Sequence, residues 1–327
     1  MRLKLDIWGA ADDPNNADGF GLRTIDETMI LELVPPVGTV KKIAPVKFSR
    51  FIGFNAVPGP YSGIPPKYRW GILKQNAGQI LARILGEEFC DGALGEPTFA
   101  NISNRLIGFA RDEKIPLNVG RLPIASFAGI VGVTHKTLAA WRIGDYGLCT
   151  SDGQINLSNP AYPYNKKRYA ELAELDRRFA SVHSEPQNRN SKEWQEWNKA
   201  KNDWKWEEYE PILTTARIAS INNLSAGDGF SMFTAAAYDG VEEYTIELKE
   251  GLMIGLFANG IISFKRTHPD KARELGREIL QIYQEETEAG NKNAIEAAVS
   301  LMRRQQRTEC SIGHRPSGVA TFITIVD

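Results

Sequence analysis

The segment from residue 123 to 157 constrains the fold of this chain more than any other. Short apolar runs rich in β-branched and aromatic residues alternate there with polar turns at 134–136 and 151–153, and Gly144–Asp145 interrupts the middle of the segment. Runs of this length, bounded by Gly, Asp and Ser, are typical of strands joined by turns. Asp152–Gly153 favours a hairpin, because both residues tolerate the positive φ that a primed turn needs. The pattern predicts an antiparallel meander in the middle of a sheet.

Strands and amphipathic helices are predicted along the rest of the chain. Leu3, Leu5 and Ile7 alternate with polar residues, which predicts a strand with one buried face. Further strands are predicted at 28–34, 212–221, 230–236, 244–248, 252–258 and 319–326. Helical spacing of apolar residues predicts helices at 68–85, 98–111, 166–182, 269–284 and 294–307. Strands at both ends and in the middle favour one interleaved domain, residues 1–327, over two.

The composition excludes several classes of function. Basic and acidic side chains nearly balance, 39 against 40, so no overall charge favours nucleic acid or an anionic membrane. The apolar stretches are shorter than the roughly 20 residues of a membrane-spanning helix, and the first residues alternate as in a strand and do not resemble a signal peptide. We therefore expect a cytoplasmic protein that binds neither nucleic acid nor membranes.

The three cysteines point to the same compartment. Cys90, Cys149 and Cys310 are far apart and form no CxxC pair, so neither disulfides nor a structural zinc site is expected. Cys149 falls within a predicted strand, which favours a small core residue over a nucleophile.

A polar segment at 185–210 contains four of the seven tryptophans: Trp194, Trp197, Trp204 and Trp206. Trp194 and Trp197 are three residues apart and would share one helix face. In one interpretation the segment is a helical insertion whose indoles pack back on the domain. In the other it is an exposed aromatic surface for a protein partner, since Trp is enriched at interface hot spots. The sequence leaves both open.

Several short motifs occur in a definite order along the chain. They are Asn16–Ala17–Asp18, Ile143–Gly144–Asp145, Asn222–Asn223 with Gly229–Phe230, the 252–260 segment LMIGLFANG, and Val319–Ala320–Thr321. Taken together they resemble motifs of the metal-dependent PP2C-type (PPM) serine/threonine protein phosphatases. The first two resemble that family's N-x-D motif and its hairpin Gly–Asp, and the third resembles an Asn…Gly-aromatic segment of a bacterial branch. The last two resemble the strand before the family's Ser–Asp–Gly metal motif and its terminal strand. The resemblance implies an α+β fold: an αββα sandwich of two antiparallel β-sheets flanked by helices.

The resemblance also implies where a metal site would lie. The family binds two divalent ions through several carboxylates, and these ions activate a water. Mn²⁺ and Mg²⁺ prefer oxygen ligands. Asp18 occupies the position of a metal-binding Asp, and Asp12, Asp13, Glu32 and Asn259 are further candidate ligands.

Most of the expected carboxylates are missing from this sequence. The second strand should end in Asp–Gly, but it runs into Val34–Pro35, and only Glu32 could replace that Asp. Asn259 occupies the position of the Asp in the Ser–Asp–Gly motif, and Gly318 or Val319 occupies the position of the Asp in the family's terminal strand. The departures favour a degenerate phosphatase that needs no cofactor and acts as a binding or regulatory module for a protein or phosphoprotein partner. No catalytic residue can be assigned.

Three alternatives stay open. The chain could be an active, divergent phosphatase for phosphoserine or phosphothreonine, in which Asp18, helped by the other candidates, holds Mn²⁺ or Mg²⁺. Asp12, Asp13 and Asp18 could instead belong to an ordinary acidic loop, or bind a single ion. An αββα sandwich is also the architecture of N-terminal-nucleophile hydrolases, which would require processing at Gly38–Thr39.

Overall fold

The computed structural model describes residues 2–10, 17–26, 29–33, 38–57, 84, 87–88, 96–112, 125–133, 137–143, 146–157, 162–201, 203–204, 207–208, 233–234, 242–258, 268–300 and 318–326. The strands are β1 (Leu3–Ala10), β2 (Ala17–Thr24), β3 (Met29–Leu33), β4 (Thr39–Val46), β5 (Phe48–Val57), β6 (Ala125–Val133), β7 (Thr137–Ile143), β8 (Gly147–Thr150), β9 (Asn156–Leu157), β10 (Phe233–Thr234), β11 (Glu242–Glu247), β12 (Met253–Phe257) and β13 (Gly318–Ile325). The helices are α1 (Glu96–Asp112), α2 (Tyr162–Val182) and α3 (Pro269–Glu288), and residues 192–201 and 294–300 are also helical.

The strands form two antiparallel sheets. The first sheet has the order β4-β1-β13-β12-β8-β9, and the second has the order β11-β7-β6-β5-β2-β3 with β10 beside β6. One continuous apolar cluster contains side chains from both sheets, among them Leu5, Phe20, Phe51 and Ile254. The sheets therefore pack face to face around a shared core. This α+β architecture of two antiparallel sheets confirms the fold class that the resemblance to PP2C-type phosphatases implies.

Helices cover the outer face of the first sheet. A second apolar cluster joins α3 and the helical residues 294–299 to the outer face of the first sheet. Within it the Tyr283 ring stacks on Phe322 at 4.2 Å between centroids, and Phe322 meets Phe257 edge-on at 5.6 Å. α1 lies beside β10 of the second sheet. Among the described helices, none is both long and apolar enough to span a membrane.

The segment at 123–157 forms its strands close to the predicted bounds, but it is not a single meander. β6 and β7 pair in the second sheet, whereas β8 and β9 pair in the first. The chain therefore crosses between the sheets after β7. Tyr146, which is completely buried, follows this crossing and packs against Gly53 of β5, where a Cβ would lie 2.4 Å from its hydroxyl oxygen. A residue with a side chain at 53 would collide with this tyrosine.

β1 differs from its prediction because both of its faces are buried. Leu3, Leu5 and Ile7 point into the core between the sheets, as predicted. Asp6 and Trp8, on the opposite face, are only 3% and 2% exposed. The period-two pattern marks the apolar face correctly, but it cannot show that a helix from the far end of the chain covers the polar one.

Other elements were missed or lie outside the described residues. β2, β4 and β5 were not predicted from the sequence, in which the polar residues at 9–21 indicate a loop. Pro45 and two lysines make the sequence of β4 untypical of a strand. β4 is an edge strand, where such residues are tolerated. The predicted strand at 212–221 and the predicted helix at 68–85 (except residue 84) lie outside the described residues.

α3 approaches the first sheet most closely at a contact between two glycines and a cysteine. The Cys149 thiol of β8 donates to the Gly276 carbonyl oxygen of α3 at 3.6 Å. A Cβ at Gly255 of β12 would lie 2.5 and 2.7 Å from two ring carbons of Phe257, and 3.1 Å from the Cys149 sulfur. The two glycines and the cysteine are therefore small enough to leave room for the Phe257 ring and for α3.

We expect Gly255→Ala to destabilise the protein by about 1–3 kcal/mol, since an added methyl in a filled core forces its neighbours to move. Urea unfolding followed by circular dichroism measures the change. Gly108→Ala is the matched control: position 108 in α1 has nothing within 4 Å among the described atoms, and alanine favours a helix by up to about 1 kcal/mol over glycine. Equal stability of Gly255→Ala and the wild type would contradict the packing described here.

Candidate functional site

Four strand ends meet at one end of the sandwich. β1 of the first sheet ends at Ala10 and β2 of the second begins at Ala17, so the six residues between them join the two sheets there. Gly318, the first residue of β13, pairs with Ala10. The Ala258 amide, directly after β12, donates to the Val319 carbonyl oxygen at 2.9 Å. We call this region, marked by Ala10, Ala17, Ala258 and Gly318, the 10–17 end.

Most of the candidate metal ligands are neighbours in sequence of the residues that mark the 10–17 end. The backbone of Asp18 lies in β2, paired with Asn55 of β5; its side chain lies outside the described residues. Asp12 and Asp13 fall in sequence between Ala10 and Ala17, and Asn259 follows Ala258; all three lie outside the described residues. Their described neighbours therefore meet at one end of the sandwich, although no distance between the four side chains is defined.

Glu32 takes part in a different interaction. It lies on β3, paired with Phe20, and its carboxylate accepts a hydrogen bond from the Lys41 ammonium of β4. That ammonium also lies 5.6 Å from the centroid of the Phe20 ring. β3 and β4 are edge strands of different sheets, so the ion pair ties the sheets together along one edge of the sandwich. To bind a cation, Glu32 would first have to release Lys41.

The start of β13 does not suit the carboxylate that a metal site would need there. Gly318 has φ of 128°, in a region that residues with a side chain rarely adopt. Val319 is fully buried in the apolar cluster between the sheets, where an aspartate would lose its hydration without gaining a partner. Neither residue could be exchanged for aspartate without strain or burial of a charge.

The described residues do not fit a two-metal centre. Glu32 is already paired, and an aspartate at 318 or 319 would be strained or would bury its charge. Within the described part of the chain, no three His, Cys, Asp or Glu side chains are grouped as a metal site would require. Asp18 stays a candidate ligand by its sequence, and the structure describes only its backbone in β2.

Comparison with known proteins finds likeness in fold. No protein-family model matches the chain, and no curated protein is detectably similar to it. One similar solved structure is the catalytic domain of the serine/threonine phosphatase PstP in complex with two manganese ions, with 10% identity, 99% of this chain and 100% of that chain covered, and a TM-score of 0.44. The S. agalactiae serine/threonine phosphatase has 8% identity, 99% and 100% of the two chains covered, and a TM-score of 0.48. Stp1 from Staphylococcus aureus has 9% identity, 100% and 96% of the two chains covered, and a TM-score of 0.44. At these TM-scores the functional proposal must rest on the residues of this chain.

The tryptophan-rich segment packs against α2. The half-buried Trp197 and Trp204 rings lie 5.7 and 5.5 Å from the ring of Phe179, which is itself buried. The indole nitrogens of Trp194 and Trp197 donate to the Glu185 carboxylate and the His183 carbonyl oxygen, each at 3.3 Å. Three of the four indoles are thus engaged within the segment and α2, as the packing interpretation predicts; Trp206 lies outside the described residues. The predicted role in partner binding stays a prediction.

Two cations flank the same aromatic group. The Lys201 ammonium lies 5.0 Å from the centroid of Trp197, and the Arg178 guanidinium lies 5.6 Å from that of Trp204. Lys201 also pairs with Asp176 of α2 at 3.0 Å. The aliphatic stems of such side chains shield aromatic faces while their charges stay near water, which explains how a polar segment can carry so many tryptophans.

We expect Phe179→Ala to loosen this segment, because truncating a buried phenylalanine typically costs about 3–5 kcal/mol. The tryptophan emission should shift to longer wavelength, and cleavage by trypsin within 185–208 should become faster. Val182→Ala, at a side chain that is 77% exposed, is the matched control and should change neither. If Phe179→Ala retains the wild-type emission and cleavage rate, the indoles do not depend on Phe179.

The surroundings of Cys149 agree with a structural role. Its side chain is buried beneath α3, and burial raises the pKa of the thiol to about 12. The thiolate is the nucleophilic form of cysteine, and almost none is present in the folded protein near neutral pH. The interpretation as a small core residue therefore fits the site.

We expect Cys149 to resist thiol reagents in the folded protein. In a variant where Cys149 is the only cysteine, made with Cys90→Ser and Cys310→Ser, labelling by DTNB at pH 8 should be negligible without denaturant and complete in guanidinium. Labelling of the folded variant at the rate of a free thiol would show that the site is accessible.

The sequence pattern missed two charged residues that the structure makes prominent. Lys41 closes the sandwich edge with Glu32, and Asp6 is buried beneath α3. Asp6 lies in a strand where charged and apolar residues alternate, which is the ordinary pattern of a half-exposed strand. Lys41 lies in β4, whose sequence TVKKIAPV does not alternate and did not predict a strand. No local signal distinguishes them, since their partners are nine and 277 residues away.

Proposed function

We propose that this protein is a degenerate PP2C-like phosphatase. In this proposal it keeps the two-sheet scaffold, has lost metal-dependent catalysis, and serves as a binding or regulatory module for a phosphorylated or other protein partner. The spacing of its cysteines, which form no CxxC pair, supports a cytoplasmic location.

The observation that carries the proposal is the start of β13. Two divalent ions bring four positive charges, and several carboxylates must offset them. Gly318 has a backbone conformation that aspartate rarely adopts, and Val319 is part of the apolar core. The change from the family pattern thus involves backbone and packing as well as residue type, which is the state expected of a site no longer selected for binding metal.

Glu32 supports the same conclusion. As the only acidic residue of the second predicted strand, it was the sole replacement for a missing aspartate. Its pairing with Lys41 gives it a structural role at the sandwich edge. Asp18 with a neutral Asn259 would supply one negative charge, and Asp12 and Asp13 at most two more, against the four positive charges of two divalent ions.

The test is turnover of p-nitrophenyl phosphate with Mn²⁺, with Mg²⁺ and with EDTA, for the wild type and for Asp18→Ala. We expect no metal-dependent turnover above the buffer rate, and therefore no difference between the two proteins. Asp152→Asn is the matched control, since Asp152 lies in the turn after β8, at the opposite end of the first sheet.

Mn²⁺-dependent turnover that disappears in Asp18→Ala and persists in Asp152→Asn would overturn the proposal. It would support instead the active alternative, in which Asp18, with help from Asp12 or Asp13 and from Glu32 and Asn259, binds Mn²⁺ or Mg²⁺. Turnover that is unchanged by Asp18→Ala would argue against both functions, because it would not use the one surviving carboxylate.

A further inference from the structure

A buried polar group lies on the outer face of the first sheet, beneath α3. Asp6 of β1 is 3% exposed, although it is ringed by apolar and aromatic neighbours of the helix layer. One of its carboxylate oxygens, Oδ2, accepts a hydrogen bond from the Tyr283 hydroxyl at 2.5 Å and lies 3.0 Å from the Lys4 ammonium. This half of the carboxylate is fully satisfied.

The other half of the carboxylate is not. Asp6 Oδ1 is buried, and it has no hydrogen-bond partner among the described residues. The hydroxyl oxygens of Thr324 on β13 and Thr287 on α3 are also buried; both lie beside the Tyr283 hydroxyl, and neither makes a hydrogen bond of ordinary length and angle within the described part of the chain. Asp6 Oδ1 therefore lacks a donor among the described residues, and the two buried hydroxyls have hydrogen-bonding capacity left.

The three oxygens belong to one neighbourhood. Thr324 pairs with Lys4 across β1 and β13, and so lies diagonally next to Asp6 on the same face of the sheet. Thr287 lies one helical turn after Tyr283 on α3. Burial raises the pKa of Tyr283, the hydrogen bond and charge of Asp6 raise it further, and the two threonine hydroxyls act in the opposite sense. Both threonines therefore adjoin the tyrosine oxygen that binds Asp6.

The energetics favour an occupant. A buried polar atom left without a hydrogen bond costs about 1–3 kcal/mol, and more when the atom is charged. A buried water typically makes about three hydrogen bonds to such atoms. Water can donate to Asp6 Oδ1 and accept from a threonine hydroxyl, so one molecule can bridge groups that make no hydrogen bond to each other.

The charge balance selects a neutral occupant. The Lys4 ammonium compensates the single negative charge of Asp6, so a metal cation would bring an uncompensated charge into a buried site. Water needs no such compensation.

We propose that β1, β13 and α3 enclose a binding site for one water molecule, held by Asp6 Oδ1 and the hydroxyls of Thr287 and Thr324. The water completes the hydrogen bonds of the polar group that joins the N-terminal strand, the C-terminal strand and the covering helix. It is an integral part of the interface between α3 and the sheet.

A high-resolution crystal structure of the whole chain tests the site directly. We expect a water peak at hydrogen-bond distance, about 2.7–3.2 Å, from Asp6 Oδ1 and from at least one threonine hydroxyl. Absence of density there would overturn the proposal. Crystals grown with Tl⁺ as the only monovalent metal ion provide a second arm, because an anomalous peak at the site would identify a cation site and reject water.

Solution measurements on variants separate the site from general packing. Oxygen-17 relaxation dispersion counts long-lived internal waters, and we expect the count to fall by one in the Thr287→Val/Thr324→Val variant. Tyr283→Phe is the matched control, since it removes the partner of Oδ2 and leaves all three proposed water ligands; its count should equal that of the wild type. An unchanged count in the double variant would contradict the proposal, and so would loss of the water in Tyr283→Phe alone.

Discussion

The pairing of β1 with β13 is the constraint on which the rest of the structure depends. Eight residue pairs, from Leu3 with Ile325 to Ala10 with Gly318, join the two ends of the chain inside the first sheet. β4 extends the sheet on one side and β12 on the other. Without this pairing the sheet would divide into two pieces, and α3 would have no continuous surface to cover. A contact that closes almost the whole chain is entropically costly, so the surrounding burial must compensate for it.

The two faces of this central pair explain the layered structure. On the inner face, Leu5 and Ile323 contribute to the apolar core that both sheets share. On the outer face, Phe322 stacks with Tyr283, and the tyrosine hydroxyl binds Asp6. The inner packing is non-directional, whereas the outer contact demands a particular rotation and height of α3. The Asp6 carboxylate, together with the contact of the Cys149 thiol with Gly276, thus constrains how α3 lies on a sheet whose remaining contacts are mostly apolar.

Local sequence patterns predicted most strands near their observed bounds, because period-two alternation and turn residues are properties of the chain itself. The crossing after β7 could not be predicted in this way, since the residues at 144–145 look the same whether the next strand stays in its sheet or leaves it. β4 was hidden by Pro45 and its lysines, whose place on a sheet edge becomes evident only once the neighbours are known. At the candidate site, residue types revealed the missing carboxylates, whereas the pairing of Glu32 with Lys41 depends on two sheets meeting at an edge.

Under the proposed function, the backbone at the 10–17 end bears on how metal binding is lost. Replacing a carboxylate by a neutral residue is reversible by one substitution as long as the backbone is unchanged. Here the first residue of β13 is a glycine with positive φ, and the second is a valine packed in the core. An aspartate would have to strain the strand at 318 or place a charge among apolar side chains at 319. Both changes would weaken the strand that joins the two ends of the chain, so the scaffold and a restored metal site would compete for the same residues.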